Sequence, residues 1–239
     1  ASVAAVSRLT IESRFGNDAE GTRLAVEGGI HRALEPVGRS RGTTVHVRNL
    51  FFNTPARRKF LRRIDTEMRH ITQVISQLGA AYPHMGFTLS HGDRTIVEML
   101  PGSPAARGGL LLASSNLIAV TDEGDEARIE GFLTRPDKCG RSKAKQFIVV
   151  GGRPVFSRNL NQAVYRAYAG LQAKEMHPSF VLWLTVQPRS VDMNVHPSKR
   201  EIRISNEREI GSQLEEAIHG ALMNALSGED PAGRTVALA

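Results

Sequence analysis

Cysteine is almost missing from these 239 residues: Cys139 stands alone. No intramolecular disulfide can form, and a reducing compartment suits the chain. Aromatic residues make up only 5%, so aliphatic side chains must fill the interior. No apolar run approaches the roughly 20 residues a membrane-spanning helix needs. The opening Ala1-Ser2-Val3 lacks the charged region and apolar block of a secretory signal. No membrane partner is therefore expected, and the expected location is the cytoplasm. The eight histidines and one cysteine never adopt a metal-ligand spacing such as C-x-x-C or H-E-x-x-H, so no metal site is expected. No Walker lysine loop occurs. Cys139 reads as a packed or surface thiol rather than a nucleophile.

What is present in excess is positive charge. Lys and Arg total 31 against 24 Asp and Glu, a net charge of +7. Such a balance favours a polyanionic partner, and the distribution sharpens it. Arg135, Lys138, Arg141, Lys143, Lys145, Arg153 and Arg158 fall in one stretch whose only acid is Asp137. This stretch is the candidate phosphate-binding surface; a solvated basic loop is the plainer alternative.

Along the chain, residues 3–14 and 21–28 read as strands joined by a polar turn. Residues 43–50 alternate, with Val45 and Val47 on one half-buried face. Asn53-Thr54-Pro55 reads as a helix start with Thr54 as cap, Pro55 at the first helical position, and Phe60 and Leu61 available to a core. Ile64, Met68, Ile71, Ile75 and Leu78 carry the spacing of an amphipathic helix. Residues 87–90 and 95–99 flank His91-Gly92-Asp93-Arg94, a hairpin signal. Pro101-Gly-Ser-Pro104 and Gly108-Gly109 break all periodicity, so the domain boundary is expected there. Residues 110–116 read as helix or loop, 117–121, 127–134, 146–150 and 180–186 as strands, and 159–168 as a short helix. Ile202 and Ile204 read as another strand. Ile210, Leu214, Ile218 and Leu222 mark a final amphipathic helix. The division expected is 1–105, 106–227 and a tail at 228–239.

Two stretches go further. Asn53-Thr-Pro-Ala-Arg-Arg-Lys-Phe-Leu61 resembles a signature of the MutL DNA mismatch-repair family, and Val191-Asp-Met-Asn-Val-His-Pro-Ser-Lys-Arg-Glu-Ile-Arg203 resembles its second. The resemblance covers roughly residues 1–226. It implies an α+β chain: the C-terminal part of a GHKL-type ATPase sheet-and-helix sandwich, followed by a ribosomal-protein-S5-like α/β domain.

The resemblance also implies roles. Thr43, after Gly42, belongs to the ATP site. Lys199, on a loop stiffened by Pro197, reaches the ATP γ-phosphate as a point charge. Arg153, after the Gly151-Gly152 turn, contributes to DNA binding without sequence preference; Gly152 stands where the family often has Asn. Arg57, Arg58, Arg62 and Arg63 could add to that surface. The cofactors implied for the parent are ATP and Mg²⁺. Its implied partners are DNA, a mismatch-recognition protein, downstream repair enzymes and a second copy in a homodimer, with nucleoid association during repair.

The family's glutamate base, Mg²⁺-binding asparagine, Asp-x-Gly-x-Gly segment and Gly-Phe-Arg-Gly-Glu-Ala-Leu segment have no match here. The chain is therefore expected to correspond to a MutL chain cut within its first domain, with no catalytic residue of its own. Two alternatives stand beside it: a non-enzymatic S5-like nucleic-acid-binding module, and another GHKL ATPase such as a type II topoisomerase subunit or chaperone. The residues at 53–61 speak against the latter.

Overall fold

Alternating side chains between Arg8 and Arg48 build a four-stranded antiparallel sheet in the computed structural model, whose described residues are 2–186, 191–192 and 203–228. Its strands are β1 (Arg8–Arg14), β2 (Gly21–Glu27), β3 (Ile30–Val37) and β4 (Gly42–Arg48), in the order β3-β2-β1-β4. Leu9 pairs with Val26 and Val47, and Ile11 pairs with Leu24 and Val45, which gathers these apolar residues on one face. Val45 and Val47 nonetheless remain 54% and 45% exposed, so the half-buried face expected from the alternation is an open one. No sequence pattern announces β3. Pro36 and a mostly exposed strand blurred its pattern, and an edge strand is where proline is tolerated.

The helix expected at Pro55 is a single turn, α1 (Pro55–Arg58). Pro55 sits at its start, but the Thr54 hydroxyl caps nothing and has no partner among the described residues. Phe60 is 81% exposed, so it joins no core; a single helical turn cannot present a stripe long enough to bury.

The chain divides into two units, Ala1–Met68 and Arg69–Ala239. The division falls inside α2 (Ile64–Ala81), whereas the sequence suggested a break near residue 105. In the second unit, β5 (Phe87–His91) and β6 (Arg94–Met99) form the expected hairpin, with Gly92 in a left-handed turn. The glycine- and proline-rich stretch that follows is a helix, α3 (Pro104–Leu112). Ser103 caps it by accepting from Ala106 N, and Pro104 opens it. Gly108 is there for packing: a Cβ would stand 2.9 Å from Phe132 Cδ2.

The main sheet holds β7 (Leu117–Glu123), β8 (Ala127–Thr134), β9 (Gln146–Val150), β10 (Arg153–Val155) and β11 (Phe180–Val186), ordered β10-β9-β11-β8-β7. Only β9 and β11 run parallel. One face carries Ile129, Leu133, Ile148, Leu182 and Leu184. It is covered by α4 (Arg158–Ala167) and α5 (Glu207–Ser227) through Leu160, Val164, Ile210, Leu214, Ile218 and Leu222. The other face packs Phe147, Val149 and Val181 on Ala80, Ala81 and Leu112. There the Trp183 indole donates to Ala80 O at 2.8 Å. Two-residue strands β12 (Val191–Asp192) and β13 (Arg203–Ile204) pair antiparallel.

Arg107, on α3, is 2% exposed. Its Nη2 donates to the carbonyls of Pro83 (3.0 Å), Met85 (2.8 Å) and Leu100 (2.9 Å), and its guanidinium faces the Phe87 ring at 5.9 Å. No carboxylate neutralises it among the described residues, and burial lowers its pKa from the ordinary value. Gly79 makes the room: a Cβ there would lie 2.6 Å from Met99 Sδ and 3.0 Å from Arg107 Nη1. Arg107→Leu takes a donor from the part-buried carbonyls of Met85 and Leu100 and one of two donors from Pro83 O, which Gly102 N also reaches at 3.0 Å, so a loss of about 1–3 kcal/mol in urea denaturation is expected. An unchanged midpoint would show that solvent reaches those carbonyls.

Candidate nucleic-acid interface

The seven cations between residues 135 and 158 are divided by the sheet. Arg135 follows β8, and Lys138 closes a short 3-10 turn, Pro136–Lys138. Arg141 and Lys143 lie in the connection to β9, and Lys145 immediately precedes that strand. β8 runs antiparallel to β11 and β9 parallel to it, so the end of β8 and the start of β9 share one end of the sheet. Arg153 opens β10 at the other end, beyond the five residues of β9, or about 16 Å of strand. The chain then returns beside β9 and reaches Arg158 at the first position of α4.

Their surroundings sort them further. Arg135 Nη1 donates to Ala225 O at 3.3 Å in the last turn of α5, and Lys145 Nζ donates to Leu112 O at 3.0 Å, the last residue of α3. Both satisfy carbonyls at the negative end of a helix dipole. Lys138 lies 3.6 Å from Asp137, both being exposed, an arrangement worth little in water. Lys143 Nζ stands over the Tyr165 ring at 5.8 Å. Among the described residues, the Arg141, Arg153 and Arg158 side chains form no hydrogen bond or ion pair. Arg158 also sits at the positive end of its helix, where a cation does not stabilise.

The basic connection is held by groups that no sequence pattern singles out. Gly140 and His177 exchange two backbone hydrogen bonds, 3.0 and 2.7 Å. Gln146 Nε2 donates to Tyr165 Oη and to Pro178 O, both at 2.9 Å, and Tyr165 Oη lies 3.0 Å from His177 Nδ1. These partners are distant in sequence, so no local pattern announces them. Cys139 is half-buried against the main core, and burial pushes its thiol up to about 11, which makes it a poor nucleophile at neutral pH.

Thr43 lies on β4 with its hydroxyl 2.8 Å from that of Ser13, both exposed, beside Gly42 at φ +129°. Lys199, with most of the second signature, lies outside the described residues. Among the described residues no three His, Cys, Asp or Glu side chains gather where they could hold a metal ion.

Residues 112–223 match the family model described as DNA mismatch repair protein, C-terminal domain. MutL of Anaeromyxobacter sp. (strain K) is 40% identical over 227 residues, 93% of this chain and 37% of that protein. The chain thus spans little more than a third of that relative's length. The ATPase domain of Aquifex aeolicus MutL, solved in complex with ADP, superposes with a TM-score of 0.66 at 28% identity, over 78% of this chain and 70% of that one. The B-subunit of DNA gyrase from Myxococcus xanthus shares the fold alone, with a TM-score of 0.54 at 14% identity over 94% and 69% of the two chains. The α+β architecture is therefore that of the GHKL-type ATPases, and by sequence the chain belongs to the MutL family of DNA mismatch-repair proteins.

Proposed function

We propose that this chain supplies the DNA-facing and relay part of a MutL-type mismatch-repair protein, one that couples ATP binding and hydrolysis to DNA binding without sequence preference. The observation that carries the DNA reading is the set of guanidiniums at Arg141, Arg153 and Arg158, which form no hydrogen bond or ion pair among the described residues, with Lys138 and Lys143 loosely held in the connection that carries Arg141. Arg135 and Lys145 position the surface by closing helices α5 and α3. A homodimer, a mismatch-recognition protein and downstream repair enzymes are the partners this reading assigns to the whole protein. The site of action is the nucleoid; no described helix is long and apolar enough to cross a membrane.

The nucleotide reading rests on the resemblance and on the Aquifex relative's complex with ADP. The exposed hydroxyls of Ser13 and Thr43 beside Gly42 are what the described residues offer a nucleotide. Lys199 is assigned to the γ-phosphate.

Each of these readings has its measurement. With about five phosphates contacted, log affinity for duplex DNA is expected to fall against log salt with a slope of about −4 to −5. Arg153→Glu should weaken binding to unrelated duplexes alike and flatten that slope by at least about 1. A salt-independent affinity, or a loss confined to one sequence, refutes the phosphate reading.

Lys145→Ala and Arg135→Ala should behave differently. Each is expected to lower stability by about 0.3–1 kcal/mol in urea denaturation while leaving the salt slope intact. A slope that falls as far as with Arg153→Glu would place these two on DNA instead.

In a protein of the relatives' full length, Lys199→Ala is expected to lower ATP turnover by about 30–1,000-fold, the effect of removing one preorganised charge from a developing phosphoryl charge. ADP affinity should hardly change, because ADP has no γ-phosphate. Unaltered turnover would make Lys199 a surface residue.

A further inference from the structure

Phe156 is the one large apolar side chain in the run from Arg153 to Arg158 that stays mostly in solvent: 64% of it is exposed. Its neighbours explain why it points outward and why it stays there. Val155 pairs with Ile148 and packs against the main core, so the next extended residue projects away from that core. Ser157 is 7% exposed and tightly held. Its hydroxyl accepts from Leu160 N at 3.0 Å and donates to Glu207 Oε1 at 2.7 Å, while its carbonyl accepts from Asn161 N at 3.1 Å. Asn159 Nδ2 adds a bond to Glu207 Oε2 at 2.6 Å. The backbone on both sides of Phe156 is thus fixed to the sheet and to α5, and no other ring or cation stacks on the phenyl group among the described residues.

An isolated exposed aromatic is ordinary on a protein surface. This one stands three residues after Arg153 and two before Arg158, whose guanidiniums have no hydrogen bond or ion pair among the described residues. Cations that hold a phosphate backbone, with a rigid aromatic ring between them, form the arrangement that binds a nucleobase by stacking. A ring with two side-chain torsions on a fixed backbone loses little entropy on contact. Arg153 and Arg158 alone account for charge attraction, not for a phenyl group held in water.

We propose that Phe156 is a base-contacting residue: its ring stacks on an unstacked nucleobase of the DNA whose phosphates Arg153 and Arg158 hold. The inference rests on the DNA reading above and adds to it a contact independent of charge. Stacking on one base is sequence-tolerant, so it fits binding without sequence preference.

The test uses the 239-residue chain, a fluorescent single-stranded oligonucleotide, and an abasic strand of equal length and charge. Phe156→Ala is expected to weaken binding to the base-bearing strand by about 5- to 100-fold, with an unchanged salt slope and no effect on the abasic strand. Phe156→Trp should retain or raise affinity, whereas Phe156→Leu, apolar but without a ring, should behave like Phe156→Ala. An exposed position makes all three compatible with folding, which a urea titration checks. If Phe156→Ala changes nothing while Arg153→Glu flattens the slope, the base contact is refuted and the phosphate reading stands. An equal loss on the abasic strand also refutes it. If the unaltered chain shows no salt-dependent binding to either strand, the DNA reading fails and the base contact fails with it.

Discussion

The second unit is organised around a charge placed where charge is costly. Arg107 sits on the helix that closes one face of the main sheet, and its guanidinium spends its donors on backbone carbonyls at Pro83, Met85 and Leu100. Those carbonyls belong to the chain leaving α2 and to the end of the hairpin. One side chain therefore joins α3, the α2 exit and the strand pair β5–β6. These part-buried carbonyls take the donors of a guanidinium that is itself withdrawn from water. The same helix ends at Leu112, whose carbonyl takes the ammonium of Lys145. The basic connection is thereby anchored to the element that Arg107 holds. This continuity of contacts shows how the surface is kept in place.

The positive charge of this chain serves two physical purposes. Arg135 and Lys145 lie at helix C-termini, where a cation satisfies carbonyls and meets the negative end of the dipole. Arg141, Arg153 and Arg158 have no such engagement among the described residues, and Arg158 occupies the helix end that a cation does not favour. Net charge alone could not separate the groups, because both count equally towards it.

Much of the architecture was legible. The alternation before Arg48, the hairpin around Gly92, and the apolar spacing of Leu160 and Val164 and of Ile210 to Leu222 reflect periods of two and 3.6, which are local properties of the backbone. The two signature stretches carried the family relationship. What misled was punctuation. Gly108 and Gly109 look like a helix breaker, yet they lie in α3, and at Gly108 the close approach of Phe132 leaves no room for a Cβ. Thr54 looks like a cap, yet its hydroxyl accepts nothing. Pro36 hid β3, which tolerates it at a sheet edge.

The sequence by itself determined the class of the chain, its strand and helix periods, its family and its excess of positive charge, since each depends on residues near one another or on totals. Tertiary structure decided which cations face solvent, which close helices, and that Arg153 stands a strand's length from Lys145 although few residues separate them. It also decided that Arg107 is buried and Phe156 is not. An arginine and a phenylalanine carry no mark of their burial in a sequence. Their exposure depends on what distant segments pack against them, such as the carbonyls at 83–100 for one and the α5 contacts that fix Ser157 for the other.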